Sequence, residues 1–180
     1  METTLAKPYQ TAMKYGALTG IVLILDSVSL YALDLMQNRG LQYIGYLILL
    51  VGIILGTKEY RDKIRGGSIS YSQALGAGVL ISVFAGILLA FYTFIFVKFI
   101  YPGFIEKMKQ IAEQQMIEKR GMSDEQAEQA MKYASMFMSP GVMAFMIVIS
   151  YAFFGLLLSL ITSAFMKKEP TSFDSMVENT

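Results

Sequence analysis

Residues 74–90 read ALGAGVLISVFAGILLA, and small side chains recur in this stretch at every fourth position. We call Ala74, Gly78, Ser82, Gly86 and Ala90 the helix-packing groove. A spacing of four places these residues along one face of an α-helix, while most of the side chains between them are large and apolar. In lipid the hydrophobic effect does not draw helices together, so close packing between small residues takes its place. The stretch therefore predicts a membrane-spanning helix that packs closely along the groove, either within the protein's own bundle or against a second copy or a partner helix.

The composition of the whole chain is typical of a membrane protein. Of its 180 residues, 54% are hydrophobic and 16% are charged, against about 25% charged in an ordinary soluble domain. The apolar residues form four long runs, and each is long enough to cross a hydrocarbon core of about 30 Å. These predicted spans are 13–35, 41–57, 74–101 and 142–166. We therefore expect an all-α fold, a polytopic four-helix membrane bundle that forms a single integral membrane domain over residues 1–180.

Several kinds of chemistry are excluded by the residues that the chain lacks. It has no cysteine and no histidine, which removes disulfides, thiolate metal sites, Ser-His hydrolysis and most zinc catalysis. The sequence also lacks a G-x-S-x-G motif and paired aspartates around a metal. We expect no enzyme, no catalytic residue, no cofactor, no metal site and no nucleic-acid partner.

The distribution of lysine and arginine predicts the orientation of the spans. The short loop between the second and third spans holds Lys58, Arg61, Lys63 and Arg65, whereas the loop between the first two spans holds only Arg39. Basic residues close to span ends favour the cytoplasmic side. With four spans, both termini then lie in the cytoplasm.

The segment 102–140 predicts an amphipathic helical hairpin outside the membrane. Gly121 ends the first helix, and Ser123 with Gln126 fits a capping box that opens a second helix, which Pro140 stops. Several apolar residues of the second helix share one face. They are Ala127, Ala130, Met131, Ala134, Phe137 and Met138.

Methionine side chains make adaptable contacts, so we predict that Met131, Phe137 and Met138 form a surface for a partner. Two alternatives stay open, because the same stripe suits packing of the hairpin on itself and binding to the membrane surface.

Asp26, Asp34 and Lys98 are charged residues within the predicted spans. Asp26 lies near the middle of the first span, where an ionised side chain is costly, so it faces the bundle as a hydrogen-bonding group or serves as a proton or ion site. Asp34 and Lys98 lie at a similar depth nearer the outer surface, and we expect them to pair.

Several short motifs resemble one known family. They are EYRDKIRGG (59–67), GGSISYSQALGAG (66–78), YPGFIEK (101–107) and MSPG (138–141), and Gly66, Gly67, Tyr71 and Gln73 carry most of the likeness. The chain resembles the domain of unknown function 4199 family, small four-span inner-membrane proteins found mainly in Bacteroidota. The resemblance implies a multi-pass protein of the bacterial cytoplasmic membrane, and it carries no activity onto any residue.

These observations favour a non-enzymatic scaffold or accessory subunit of the membrane. It would act through helix packing and through association with a membrane-protein partner or a second copy in the lipid bilayer. The alternative is a small proton- or ion-coupled transporter that uses Asp26.

Overall fold

The structure, a computed structural model, describes residues 8–36 and 38–168, and this part of the chain is all-α. Its helices are α1 (Pro8–Ala32), α2 (Arg39–Gln42), α3 (Ile44–Glu59), α4 (Tyr71–Ile95), α5 (Phe104–Arg120), α6 (Asp124–Ser135) and α7 (Pro140–Met166). A π-helical turn extends α3 over Tyr60–Ile64, and another extends α4 over Phe96–Ile100. Both chain termini lie outside the described residues.

Three of the described helices are long and apolar enough to cross a membrane. These candidate spans are Tyr9–Ala32, Tyr71–Ile100 and Pro140–Met166, and together they indicate a multi-pass membrane protein. Helix α3, which corresponds to the predicted span 41–57, has 16 residues and is shorter than the other three.

The first span ends earlier than the predicted residue 35. Helix α1 stops at Ala32, and Asp34 adopts a left-handed conformation with φ 55°. Aspartate tolerates this conformation better than most residues, but a helix does not continue through it. Asp34 therefore lies in the turn that follows the span.

The described chain divides into two compact units. The bundle unit contains residues 8–89 and 148–168, and the hairpin unit is Ala90–Ile147. The core of the bundle unit is formed by side chains of α1, α3 and α4, among them Leu23, Leu49, Ile53 and Ile81.

Glycine contacts fix the relative directions of α1, α3 and α4 in the bundle unit. Gly52 of α3 packs against Thr19, and Gly56 packs against Tyr15, so α1 and α3 are antiparallel. By contrast, Gly16 meets Ile81 and Phe84, while Gly20 meets Ala85 and Leu88. Helices α1 and α4 therefore run parallel.

The hairpin unit confirms two of the predicted helix boundaries. The first helix ends at Gly121, which is left-handed with φ 65°, and Ser123 and Gln126 form the capping box at the start of α6. An aromatic cluster of Tyr92, Phe96, Tyr101 and Phe104 connects the end of α4 to the start of α5.

The predicted end of the second hairpin helix is wrong. Helix α6 ends at Ser135, and Pro140 is the first residue of α7 rather than the residue that stops α6. Proline suits the first turn of a helix because it lacks an N–H that would have no partner there. The Ser139 hydroxyl accepts a hydrogen bond from the Val142 backbone N–H at 3.4 Å, which helps to begin α7.

Candidate functional site

The helix-packing groove of α4 is filled by α7 within the bundle unit. Gly78 packs against Ser159, and Gly155 packs against Ser82, so small residues alternate across the two antiparallel helices. A Cβ atom on Gly86 would lie 2.8 Å from the Cβ of Tyr151. Glycine is needed at these positions because the two backbones approach so closely.

The two ends of the groove have different surroundings. Ala74 is buried with Tyr60, Ile69 and Ala77 in a small apolar cluster near the start of α4. Ala90 is also buried, but it belongs to the hairpin unit. The groove is therefore a packing surface inside the chain over the positions that contact α7.

Buried hydroxyl groups accompany this packing. The Ser82 hydroxyl donates a hydrogen bond to the Gly78 carbonyl at 2.9 Å. Thr57, Ser159 and Ser163 are almost fully buried, and among the described residues their hydroxyl oxygens have no hydrogen-bond partner. Hydroxyl groups are the polar groups that membrane helix interfaces accept most readily.

Asp26 is half-buried in α1, one turn beyond the core residue Leu23. Partial burial beside a core residue is consistent with a side chain that faces the bundle unit. The role of Asp26 as a hydrogen-bonding group or as a proton or ion site stays a prediction.

Asp34 and Lys98 belong to different units. Asp34 lies in the turn after α1, and the Lys98 ammonium lies 5.3 Å from the centre of the Phe94 ring and 5.5 Å from that of Phe99. Cation–π contacts of this kind stabilise a lysine ammonium group. The predicted pair of Asp34 and Lys98 stays a prediction.

A charge cluster that the sequence did not reveal joins the start of α1 to the end of α3. The Glu59 carboxylate accepts hydrogen bonds from the Lys14 ammonium at 2.8 Å and the Tyr15 hydroxyl at 2.6 Å. Lys63 donates to the same carboxylate at 3.3 Å. The Lys14 and Tyr15 bonds lower the pKa of Glu59 to about 2.

We expect Glu59→Gln to lower the free energy of unfolding at neutral pH by about 1–2 kcal/mol, since a charge-assisted bond is lost. In the parent protein the stabilisation is complete above pH 4.5, the ordinary pKa of the group, and is lost as the pH falls towards 2. Thermal unfolding in detergent, followed by circular dichroism across this range, measures both effects. Glu118→Gln, on the exposed surface of α5, is the matched control. Equal acid sensitivity in the parent and in Glu59→Gln would contradict the prediction.

Basic residues surround this cluster at the same end of the bundle unit. The backbone of Ile69, before α4, pairs with that of Lys168, after α7, through two hydrogen bonds of 2.9 and 3.0 Å. Arg61 donates to the Met166 carbonyl at 3.5 Å, and the Arg61 guanidinium lowers the pKa of the neighbouring Asp62. The C-terminal end of α7 is thereby tied to the basic loop.

The predicted partner surface is divided by the structure. Met131 is buried in the seam between α5 and α6, with 8% of its surface exposed, whereas Phe137 is 65% exposed. Met138 is half-buried and lies beyond the end of α6. Tyr133 and Met136, which the prediction omitted, are 69% and 65% exposed. We call Tyr133, Met136 and Phe137 the hairpin patch.

Two clefts lie within the units. A cleft of about 730 Å³ between α5 and α6 is lined mainly by charged side chains, including Glu106, Lys109, Glu128 and Lys132. In the part of the chain that the structure describes, no three carboxylates or other ligand side chains are placed to hold a metal ion. An apolar groove of about 350 Å³ lies along the surface between α1 and α3 in the bundle unit.

A family model described as "Protein of unknown function (DUF4199)" matches residues 14–168, which include nearly all of both units. No curated protein and no solved structure matches the chain.

Proposed function

The chain belongs to the DUF4199 family, and we propose that it is a non-enzymatic membrane protein that binds another membrane protein through its hairpin patch. In this role it is a scaffold or accessory subunit of the bacterial cytoplasmic membrane. The exposure of Tyr133, Met136 and Phe137 is the observation that carries the proposal.

The proposed protein crosses the membrane four times, with α3 as the second crossing. Two arguments support this. Helices α1 and α4 are candidate spans that run parallel, so the chain between them must return across the bilayer. Helix α3 is antiparallel to α1 and lies beside it, and its residues Leu47, Val51 and Leu55 are apolar and exposed, as lipid-facing side chains are.

The orientation follows from the basic end of the bundle unit. The loop with Lys58, Arg61, Lys63 and Arg65 is short, and the bridge between Ile69 and Lys168 brings the end of α7 to the same level. The positive-inside rule then favours the cytoplasm for this end and for both termini. The hairpin lies on the opposite side of the membrane in this arrangement.

The position of the hairpin patch supports a membrane-embedded partner. Its three large side chains fall within five residues, and Phe137 precedes the first residue of α7 by only three positions. The patch is therefore close to the membrane surface. Exposed aromatic and methionine side chains are enriched at protein interfaces, and interface hot spots favour tyrosine.

Replacing Tyr133, Met136 and Phe137 by serine tests the proposal. We expect the triple variant to lose a protein that co-purifies with the parent in mild detergent, or to lose a second copy, because the contact area is gone. Its thermal stability should change little, since surface substitutions usually alter the free energy of unfolding by about 0.5 kcal/mol or less each. Native mass and co-purification from native membranes are the measurements.

Met131→Ser is the matched control, because Met131 lies in α6 only two residues before Tyr133 but is buried. This variant should destabilise the hairpin by about 2–5 kcal/mol, visible as faster backbone hydrogen exchange in α5 and α6. If the triple variant has the same native mass and the same co-purifying proteins as the parent, the proposed association through the patch is wrong. The transporter alternative, with Asp26 as the proton-carrying group, is then favoured.

A further inference from the structure

The apolar groove between α1 and α3 opens towards lipid. Leu18 and Val22 form one wall and Leu47, Val51 and Leu55 the other, and Leu18 and Leu47 are 50% and 60% exposed. The floor is closed by the contact between Gly52 and Thr19. Along α1 the groove extends for about 10 Å, given a rise of about 1.5 Å per residue.

The volume of the groove suits an acyl chain better than a protein helix. An α-helix with its side chains is about 10 Å or more across, so a 10 Å length of helix has roughly twice the volume of the groove, which is about 350 Å³. A single hydrocarbon chain is narrow and flexible, and the walls offer it almost only apolar atoms.

Two lysines stand one turn beyond the groove at its basic end. Lys14 precedes the lining residue Leu18 by four positions, and Lys58 follows Leu55 by three, so both lie on the faces that line the groove. Lys14 already donates to Glu59, but an ammonium group has three donors and its side chain is 55% exposed.

The charge at this end favours an anion. The basic side chains of the described part of this end are Lys14, Lys58, Arg61, Lys63, Arg65, Lys167 and Lys168, and the acidic ones are Glu59 and Asp62. Asp62 is bonded to Arg61, and Glu59 is bonded to Lys14, Tyr15 and Lys63. A net positive rim next to an apolar groove is complementary to an anionic amphiphile.

From this geometry we infer that the α1–α3 groove binds one acyl chain of an anionic phospholipid, whose phosphate is held by Lys14 and Lys58. The site is separate from the hairpin patch, so either proposal can fail without the other. An anionic lipid at this position seals the contact between α1 and α3 on its open side.

The experiment exploits the fact that the chain has no tryptophan. Leu47→Trp places one fluorophore at the deep end of the groove, and Leu157→Trp places one on the exposed surface of α7 as a control. Each protein is reconstituted in dioleoylphosphatidylcholine vesicles that contain a minor fraction of either brominated phosphatidylglycerol or brominated phosphatidylcholine. We expect brominated phosphatidylglycerol to quench the Leu47→Trp protein more strongly than brominated phosphatidylcholine does, and the two lipids to quench the Leu157→Trp protein equally.

Charge variants then locate the headgroup. In the Leu47→Trp background, Lys58→Gln should lower the preference for phosphatidylglycerol about fivefold, the factor equivalent to about 1 kcal/mol for a lysine near the phosphate. Lys14→Gln should act in the same direction. Lys168→Gln changes the net charge equally, lies outside the groove and should leave the preference unchanged.

Three results would overturn the inference. One is equal quenching of the Leu47→Trp protein by brominated phosphatidylglycerol and by brominated phosphatidylcholine. Another is an equal loss of preference in Lys58→Gln and Lys168→Gln, which would mean general attraction to the basic surface. The third is protection of the groove tryptophan from both lipids, which would mean that a protein covers the groove.

Discussion

Gly78→Leu is expected to destabilise the folded bundle severely. A Cβ atom at Gly78 would lie 3.0 Å from the Cβ of Ser159 and 3.0 Å from Cγ2 of Ile53, so the larger side chain would force α4 away from both α3 and α7. Overpacking of a tight core costs about 1–3 kcal/mol and occasionally more. We expect the free energy of unfolding to fall by about 3 kcal/mol or more, because α4 packs against α3 on one side and against α7 on the other. Yield of monodisperse protein and thermal unfolding in detergent are the measurements.

Gly76→Leu is the matched control for this prediction. Gly76 is in the same helix, two residues away, and a Cβ atom there would meet no atom within 4 Å. Leucine favours the helix over glycine by up to about 1 kcal/mol, so this variant should be as stable as the parent or more stable. If the two variants behave alike, the close contact of α4 with α3 and α7 is wrong.

Single-cysteine labelling is expected to give an all-or-none result for the proposed topology. The chain has no cysteine, so Asn38→Cys, Ser70→Cys and Glu125→Cys each carry one thiol at an exposed position. With four crossings, a membrane-impermeant maleimide applied to intact spheroplasts should label Asn38→Cys and Glu125→Cys, while Ser70→Cys reacts only after the membrane is opened.

The labelling of Asn38→Cys and Ser70→Cys shows whether α3 crosses the membrane, because these positions flank α3. If α3 crosses the membrane, they lie on opposite sides and only one of them is labelled in intact spheroplasts. If both are labelled, or both are protected until lysis, α3 does not cross, and a three-span arrangement replaces the proposed one. Labelling of every variant after lysis is the internal control for thiol reactivity.

The features that could be predicted from the sequence depend on local chemistry. The spans of α1, α4 and α7 follow from long apolar runs, and the hairpin boundaries at Gly121 and Ser123 follow from backbone conformation and capping. Each of these signals is contained within one helix or one turn. These features can therefore be predicted without knowing which helices contact each other.

The features that were missed depend on contacts between distant residues. Glu59 meets Lys14 across 45 positions of sequence, and only the antiparallel packing of α1 and α3 brings them together. The difference in exposure between Met131 and Phe137 was missed for a similar reason. The sequence indicates which residues share a face, but it does not indicate which of them another helix covers. The end of α6 was placed too late because Pro140 was assigned to the wrong helix.

The filling of the α4 groove by α7 has a consequence for biogenesis. Between the end of α4 at Ile95 and the start of α7 at Pro140 lie 44 residues, 96–139, so at a synthesis rate of about 5–20 residues per second the ribosome completes α4 about 2–9 seconds before α7 begins to emerge. During this interval Gly78, Ser82 and Gly86 face the insertion machinery or lipid without their final neighbour. In a chain truncated before α7, the small-residue face of α4 would stay exposed to helices of other membrane proteins. We expect membrane quality-control proteases to degrade such an incompletely packed chain. The bundle unit therefore reaches its final packing only after α7 has been synthesised and packs against α4.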